Sequence, residues 1–198
     1  MNWGNIQIES LKKMFLNTEN ITVENLGTYL QDKKYKTYLF AMPQACNEAI
    51  RYLVSRLGTE TEKYTLEYDG EDTINLSDYI PDIRKIENIV CPIGVTYKML
   101  TSNVIQFNNW SSGDIEIYYE VEPDEIKSTT VSTKRIDALK DQYTRIIPLY
   151  IAGELYKDDD LSLSTMYMNE FFNMVSVFEN ENIYINNPTI QAVYRIGD

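Results

Sequence analysis

The spacing of apolar residues changes twice along this 198-residue chain, and that change constrains the fold more than any other feature. Up to about residue 58, apolar side chains recur every three or four positions. Between 62 and 122 they alternate, or come in short runs broken by turn signals. From about Ile136 the three-and-four spacing returns. A period of 3.6 puts a stripe on one face of a helix, and a period of two puts alternate residues on one face of a strand. The chain is therefore expected to be α+β. Its N- and C-terminal parts, residues 1–61 and 127–180, form one helical bundle. Residues 62–126 form an inserted small antiparallel β domain. Residues 181–198 are expected to be an extended, β-prone docking tail.

In the first part, residues 5–16 (NIQIESLKKMFL) read as a short helix with Ile8, Leu11 and Phe15 on one face. A polar break follows, then a short helix near Leu26–Leu30. Tyr35–Phe40 reads as another, stopping ahead of Pro43, because the residue before a proline resists the α region. Pro43 suits the first position of the next helix, which runs to about Leu57 with Cys46, Ala49, Ile50, Leu53, Val54 and Leu57 on one side. Gly58 is a stop signal just past its end.

In the middle part, Tyr64–Tyr68 alternates as a strand, Asp69-Gly70 is a turn, and Ile74–Leu76 leads into an irregular corner ending at Asp82. Lys85–Pro92, Thr101–Phe107 and Asp114–Val121 read as further strands, the last two separated by a polar loop around Trp110. Short strands at this spacing suggest a small antiparallel sheet or a sandwich. Residues 127–134 form a polar connector before helix resumes at about Ile136.

Residues 147–176 read as two amphipathic helices joined by a short acidic elbow, Asp158-Asp159-Asp160. One face carries Tyr143, Ile146, Ile147, Tyr150, Ile151 and Leu155, and the other carries Ser164, Met168, Phe171, Val175 and Phe178. Consecutive acids invite a calcium or magnesium reading, yet the glycine and distal glutamate of a calcium loop are absent. Acids at a helix start cap free amides and complement the dipole, and Asp160 is a good N-cap for a helix beginning near Leu161.

Composition narrows the chemistry. There is no histidine, which removes the commonest general base and transition-metal ligand, and with them the triad and dyad mechanisms that use it. No phosphate-binding glycine loop is present. The chain is not expected to be an enzyme, and no cofactor or metal is expected. The net charge of −12 disfavours binding to a phosphate backbone but is compatible with a conduit through which DNA passes without sticking. No apolar run is long enough for a membrane span, and the N-terminus lacks the pattern of a secretory signal. Cys46 and Cys91 read as small buried hydrophobes rather than a disulfide, in keeping with a reducing compartment.

Sixteen tyrosines stand out against two tryptophans and six phenylalanines. Tyrosine gives rigid contact area with a polar tip, so Tyr150, Tyr156 and Tyr167 around the elbow are candidates for an interface, with core packing the alternative. Glu154 and Glu170 lie on the two sides of the hairpin. Paired carboxylates suit glycosidase chemistry, but nothing else suggests a sugar cleft, and charged positions on helix faces are usually solvated; Lys157 is near enough to pair with some of these acids, with an interface salt bridge as an alternative role. Tyr184, Ile185, Ile190 and Tyr194 make the tail aromatic and β-prone, the character of a segment that adds to a sheet or groove in its own chain or a neighbour's.

Three segments together resemble a family. Tyr79–Ile86 (YIPDIRKI), Ile147–Asp160 (IPLYIAGELYKDDD) and Met168-Asn169-Glu170-Phe171 are similar to head–tail connector (adaptor) proteins of tailed bacteriophages and related prophages, above all those of low-GC Gram-positive hosts. Gly153 stands where serine is frequent, and Phe172 where an acid is common. The resemblance implies a structural virion protein at the head–tail neck, made in the bacterial cytoplasm. It implies a ring, commonly of twelve copies, beneath the portal protein, joined to a tail or second connector protein and extending the DNA channel. On that reading the elbow residues Tyr150, Glu154, Tyr156, Lys157, Asp158, Asp159, Asp160, Tyr167, Asn169 and Glu170, with the tail, form interfaces. The rival reading is a β-domain binding module for a carbohydrate or host surface protein, with Trp110 as a stacking platform.

Overall fold

The computed structural model describes residues 1–15, 18, 20–68, 73–108 and 113–186. The fold is α+β. The chain divides into two compact units, one built from Met1–Gly58, Glu125–Ile136 and the chain from Asp141 onward, the other from Thr59–Asp124 with Asp137–Lys140.

The first unit is helical. Helix α1 (Trp3–Met14) starts where the Asn2 side chain accepts from the Asn5 amide at 2.8 Å, a side-chain N-cap. Two further first-turn amides, of Trp3 and Gly4, donate to the carbonyls of Lys134 and Ser132, both at 2.8 Å, so the connector satisfies donors that a helix start leaves free. Helix α2 (Leu26–Tyr29) is a single turn with Leu26 buried. Helix α3 (Lys33–Leu57) is capped by Asp32 and ends at Gly58, whose φ of 73° is open to glycine at little cost. Helix α4 (Asp141–Thr144) is one turn, followed by α5 (Ile147–Leu155) and α6 (Leu161–Asn186). Helix α5 touches α1, α3 and α6, and its Ile147, Ile151 and Ala152 are fully buried.

Two expectations about the helices are overturned. Tyr35–Phe40 is not a separate helix, and Pro43 does not open the next one, because α3 runs unbroken through Pro43. An interior proline costs about 3 kcal/mol and leaves one carbonyl without its amide. Leu39, Met42, Ala45, Cys46, Ala49, Ile50 and Leu53 are all buried along the same helix, and that packing outweighs the local penalty. Helix also does not resume at Ile136. Ile136, Ala138 and Leu139 are buried in irregular chain, and Ala138 accepts from the Glu60 amide at 2.9 Å within the β unit.

The β unit contains two three-stranded antiparallel sheets, ordered β1–β6–β3 and β2–β5–β4. The strands are β1 (Thr61–Tyr68), β2 (Thr73–Asn75), β3 (Ile83–Val90), β4 (Thr96–Met99), β5 (Val104–Asn108) and β6 (Gly113–Val121). A short 3-10 turn, Leu76–Asp78, makes the corner after β2. Alternation decides which side chains go inward. Ile115, Ile117 and Tyr119 of β6, Leu66 of β1 and Ile89 of β3 join Ile74, Ile105 and Phe107 of the other sheet in one core with Leu76 and Ile80. In β3 the register slips between Ile83 and Lys85 and again between Ile86 and Asn88, which breaks its alternation. The turn expected at Asp69-Gly70 and the loop around Trp110 lie outside the described residues.

Candidate functional site

Two of the three segments that carry the family resemblance, Ile147–Asp160 and Met168–Phe171, meet in the α5–α6 hairpin, while Tyr79–Ile86 lies in the β unit. Its tightest point is Gly153. A Cβ there would stand 2.7 Å from Met168 Cγ and 2.8 Å from Sδ, so only glycine lets the two helices approach with the Met168 side chain between them. Next to this contact, the buried Ser164 hydroxyl donates to the Gly153 carbonyl at 2.7 Å. Phe171, fully buried, takes Tyr150 edge-on at 5.1 Å, and Tyr52 of α3 at 5.7 Å. Burial, then the charges of Glu154 and Glu48, push the Tyr150 hydroxyl above its ordinary pKa.

The elbow is a tight turn, with the Asp159 and Asp160 amides both donating to the Tyr156 carbonyl, at 3.1 and 2.9 Å. Asp160 is the N-cap of α6. Its Oδ1 accepts from the amides of Ser162 and Leu163, each at 3.0 Å. Asp159 accepts from the Tyr38 hydroxyl of α3, and that carboxylate pushes the Tyr38 pKa up to about 12, with burial and the Asp159 charge adding to it. Asp158 is exposed. Lys157 pairs with Glu154 one turn back along the chain.

Tyr156 and Tyr167 turn inward. Their rings stack with centroids 6.3 Å apart and planes 8° from parallel. The Tyr156 hydroxyl donates to the Met14 carbonyl, and the Tyr167 hydroxyl donates to the Lys13 carbonyl at 2.7 Å. These carbonyls belong to the last turn of α1, where a helix has no amides of its own to satisfy them. The Lys13 ammonium lies 5.9 Å over the Tyr167 ring. The polar tips of both tyrosines are thus engaged within the chain. Burial raises both pKa values; the neighbouring Tyr167, Asp160 and Asp159 add to the effect on Tyr156, and Glu170 to that on Tyr167.

Asn169 and Glu170 are exposed, on the side of α6 away from Ser164, Phe171 and Val175. Glu170 therefore points off the hairpin seam, while Glu154 is held by Lys157. Leu161, Met166, Phe172, Met174 and Val177 add exposed apolar surface along α6. Helix α6 continues through Tyr184 and Ile185 to Asn186, so the start of the expected extended tail is helical instead. The apolar spacing of Val175, Phe178 and their neighbours carries the helix past residue 181. Ile190 and Tyr194 lie outside the described residues, as does Trp110.

Among the described residues, no group of three acids or cysteines is placed to hold a metal ion. Both cysteines are free. Burial pushes the Cys46 thiol up to about 12, far from a reactive thiolate at neutral pH, and raises Cys91 as well. The hairpin offers packed aromatics, one salt bridge and a carboxylate corner, a set suited to contact with another macromolecule. No described helix is long and apolar enough to cross a membrane.

The polar feature that the sequence did not flag is Asn47 of α3. Its amide donates to the Ile126 carbonyl at 2.8 Å and accepts from the Ile126 amide at 2.9 Å, standing in for a β-ladder partner. A lone asparagine on a helix face carries no signal of that role. Compared with protein-family models and with curated proteins, the chain matches none.

Proposed function

We propose that the chain is a structural subunit of a phage-type virion, a head–tail connector that assembles as a ring beneath the portal and extends the DNA channel. The observation that supports this reading is the hairpin itself. Two of the segments that resemble connector proteins, Ile147–Asp160 and Met168–Phe171, form one packed unit whose exposed side chains, Lys157, Asp158–Asp160, Asn169 and Glu170, are polar and make no reactive pair. A net charge of −12 suits a channel wall that must not retain DNA. Subunits of a ring touch through two different surfaces, and a helical unit and a β unit offer such surfaces.

The test is direct. The purified chain is mixed with its cognate portal ring and imaged by cryo-electron microscopy, with the mass of each species measured in solution. The expected result is a closed ring of this subunit on the portal, commonly of twelve copies in proteins of this kind. A chain that stays monomeric and leaves the portal bare at micromolar concentration overturns the reading.

A further inference from the structure

On one side of α3 the helical unit carries an open cleft of about 480 Å³, lined by Gln44, Asn47 and Arg51 of α3 and by residues 125–129 of the connector. Two cations stand at it. Among the described residues Arg51 makes no ion pair or hydrogen bond, and Lys127 has only a long contact of 3.9 Å with Glu125. Among the described residues the hydroxyls of Ser128 and Thr129 have no hydrogen-bond partner either. The wall is built to stay in place. Asn47 holds Ile126 by both backbone groups, and Thr130 closes a turn on Lys127, accepting from its amide through Oγ1 at 2.8 Å and donating its own amide to the Lys127 carbonyl at 2.9 Å. A guanidinium, an ammonium and two free hydroxyls in a fixed concave setting select a compact group of carboxylates.

The same chain carries such a group on an exposed turn. Among the described residues Asp158 is exposed and has no ion pair, Asp159 commits one oxygen to Tyr38, and Asp160 commits one oxygen to its helix cap, so each of these two has a second oxygen not so committed. The turn and the cleft cannot meet within one copy. Tyr38 and Arg56 mark the side of α3 that faces the elbow and α6, through Asp159 and Glu179. Asn47 lies about two and a half turns from each of them, which places it on the opposite side of the helix. Two complementary surfaces on opposite sides of one subunit produce a head-to-tail contact, the kind that closes into a ring.

We propose that the acidic elbow of one copy, Asp158–Asp160, seats in the Arg51–Lys127 cleft of the next. The proposal rests on the connector reading above and names the contact that would join neighbouring subunits. Glu125 at the rim opposes an incoming carboxylate on the Lys127 side, which leaves Arg51 as the main anchor.

The test is a charge swap in the full chain, followed by sedimentation and mass measurement with the cognate portal present. Arg51→Glu and Asp158→Lys each raise the concentration needed for ring formation at least tenfold, and the double variant R51E/D158K brings it back toward wild type. Both side chains are exposed, and equal melting temperatures of all forms verify that folding is intact. Wild-type assembly with unchanged assembly in both single variants overturns the contact while leaving the connector reading standing. Loss in Arg51→Glu alone overturns a second copy as the occupant and points to an acidic segment of the portal, and loss in both singles with no recovery in the double overturns the pairing of elbow with cleft. A wild-type chain that never associates overturns the connector reading itself.

Discussion

The rings of Tyr156 and Tyr167 lie 8° from parallel, and their hydroxyls end on two successive carbonyls of α1, those of Met14 and Lys13. One tyrosine comes from the end of α5 and the other from α6, so the pair ties the hairpin to the end of the first helix. Removing either hydroxyl leaves a helix-end carbonyl without its donor. Tyr167→Phe and Tyr156→Phe are each expected to cost about 0.5–1.5 kcal/mol, read from chemical denaturation. Because the rings stay stacked, the slope of the transition should not change. A loss near zero in both would mean that water replaces the hydroxyls without cost.

Gly153 is expected to resist enlargement. Alanine gains up to about 1 kcal/mol in helix propensity over glycine, but its methyl would meet Met168 at 2.7 Å, and overpacking of this kind costs about 1–3 kcal/mol. Gly153→Ala should therefore destabilise the protein by about 1–2 kcal/mol. The same change made in a Met168→Ala background should cost less, or stabilise. Equal effects in both backgrounds would show that the contact with Met168 does not hold the helices at this distance.

The Tyr38–Asp159 bond makes a prediction for alkaline pH. Tyr38 is held up to about 12, against about 10 for a free tyrosine, mainly because its hydroxyl donates to a carboxylate. The folded state therefore holds this proton more tightly than the unfolded one. The stabilisation is fully present below about pH 10 and is lost as pH rises from there through about 12. Asp159→Asn should return Tyr38 toward its ordinary value, seen as a phenolate absorbance step that moves to lower pH. Tyr119, also near 12 but through burial and Glu62, provides a step that the substitution leaves in place.

The hairpin was legible because two independent signals agreed there. The apolar spacing marks Ile147, Ile151, Phe171 and Val175, all buried, and Asp160 stands where an N-cap belongs. Signals failed where tertiary packing overrode local preference, as at Pro43, or where the element lacks an apolar pattern. Strand β4, Thr96–Met99, is four residues long and mostly exposed, so it has no alternating apolar face to announce a strand; its pairing with β5 makes it one. Ile136 and Leu139, in irregular chain, are buried as a helix face would be, which is why their spacing suggested one. Tyr156 and Tyr167 were legible as special but not as inward-facing, since a sequence does not say which carbonyls a hydroxyl will reach.

Helix α5 lies against α1, α3 and α6, yet it follows the whole β unit along the chain. A ribosome therefore delivers the buried faces of α1 and α3 well before the helix that covers them. The β unit between them is nearly contiguous, drawing only Asp137–Lys140 from beyond its own span. It can close while α1 and α3 wait without the helix that packs against both. Nascent chains stopped before Ile147 should bind chaperones, and those released after Phe178 should not.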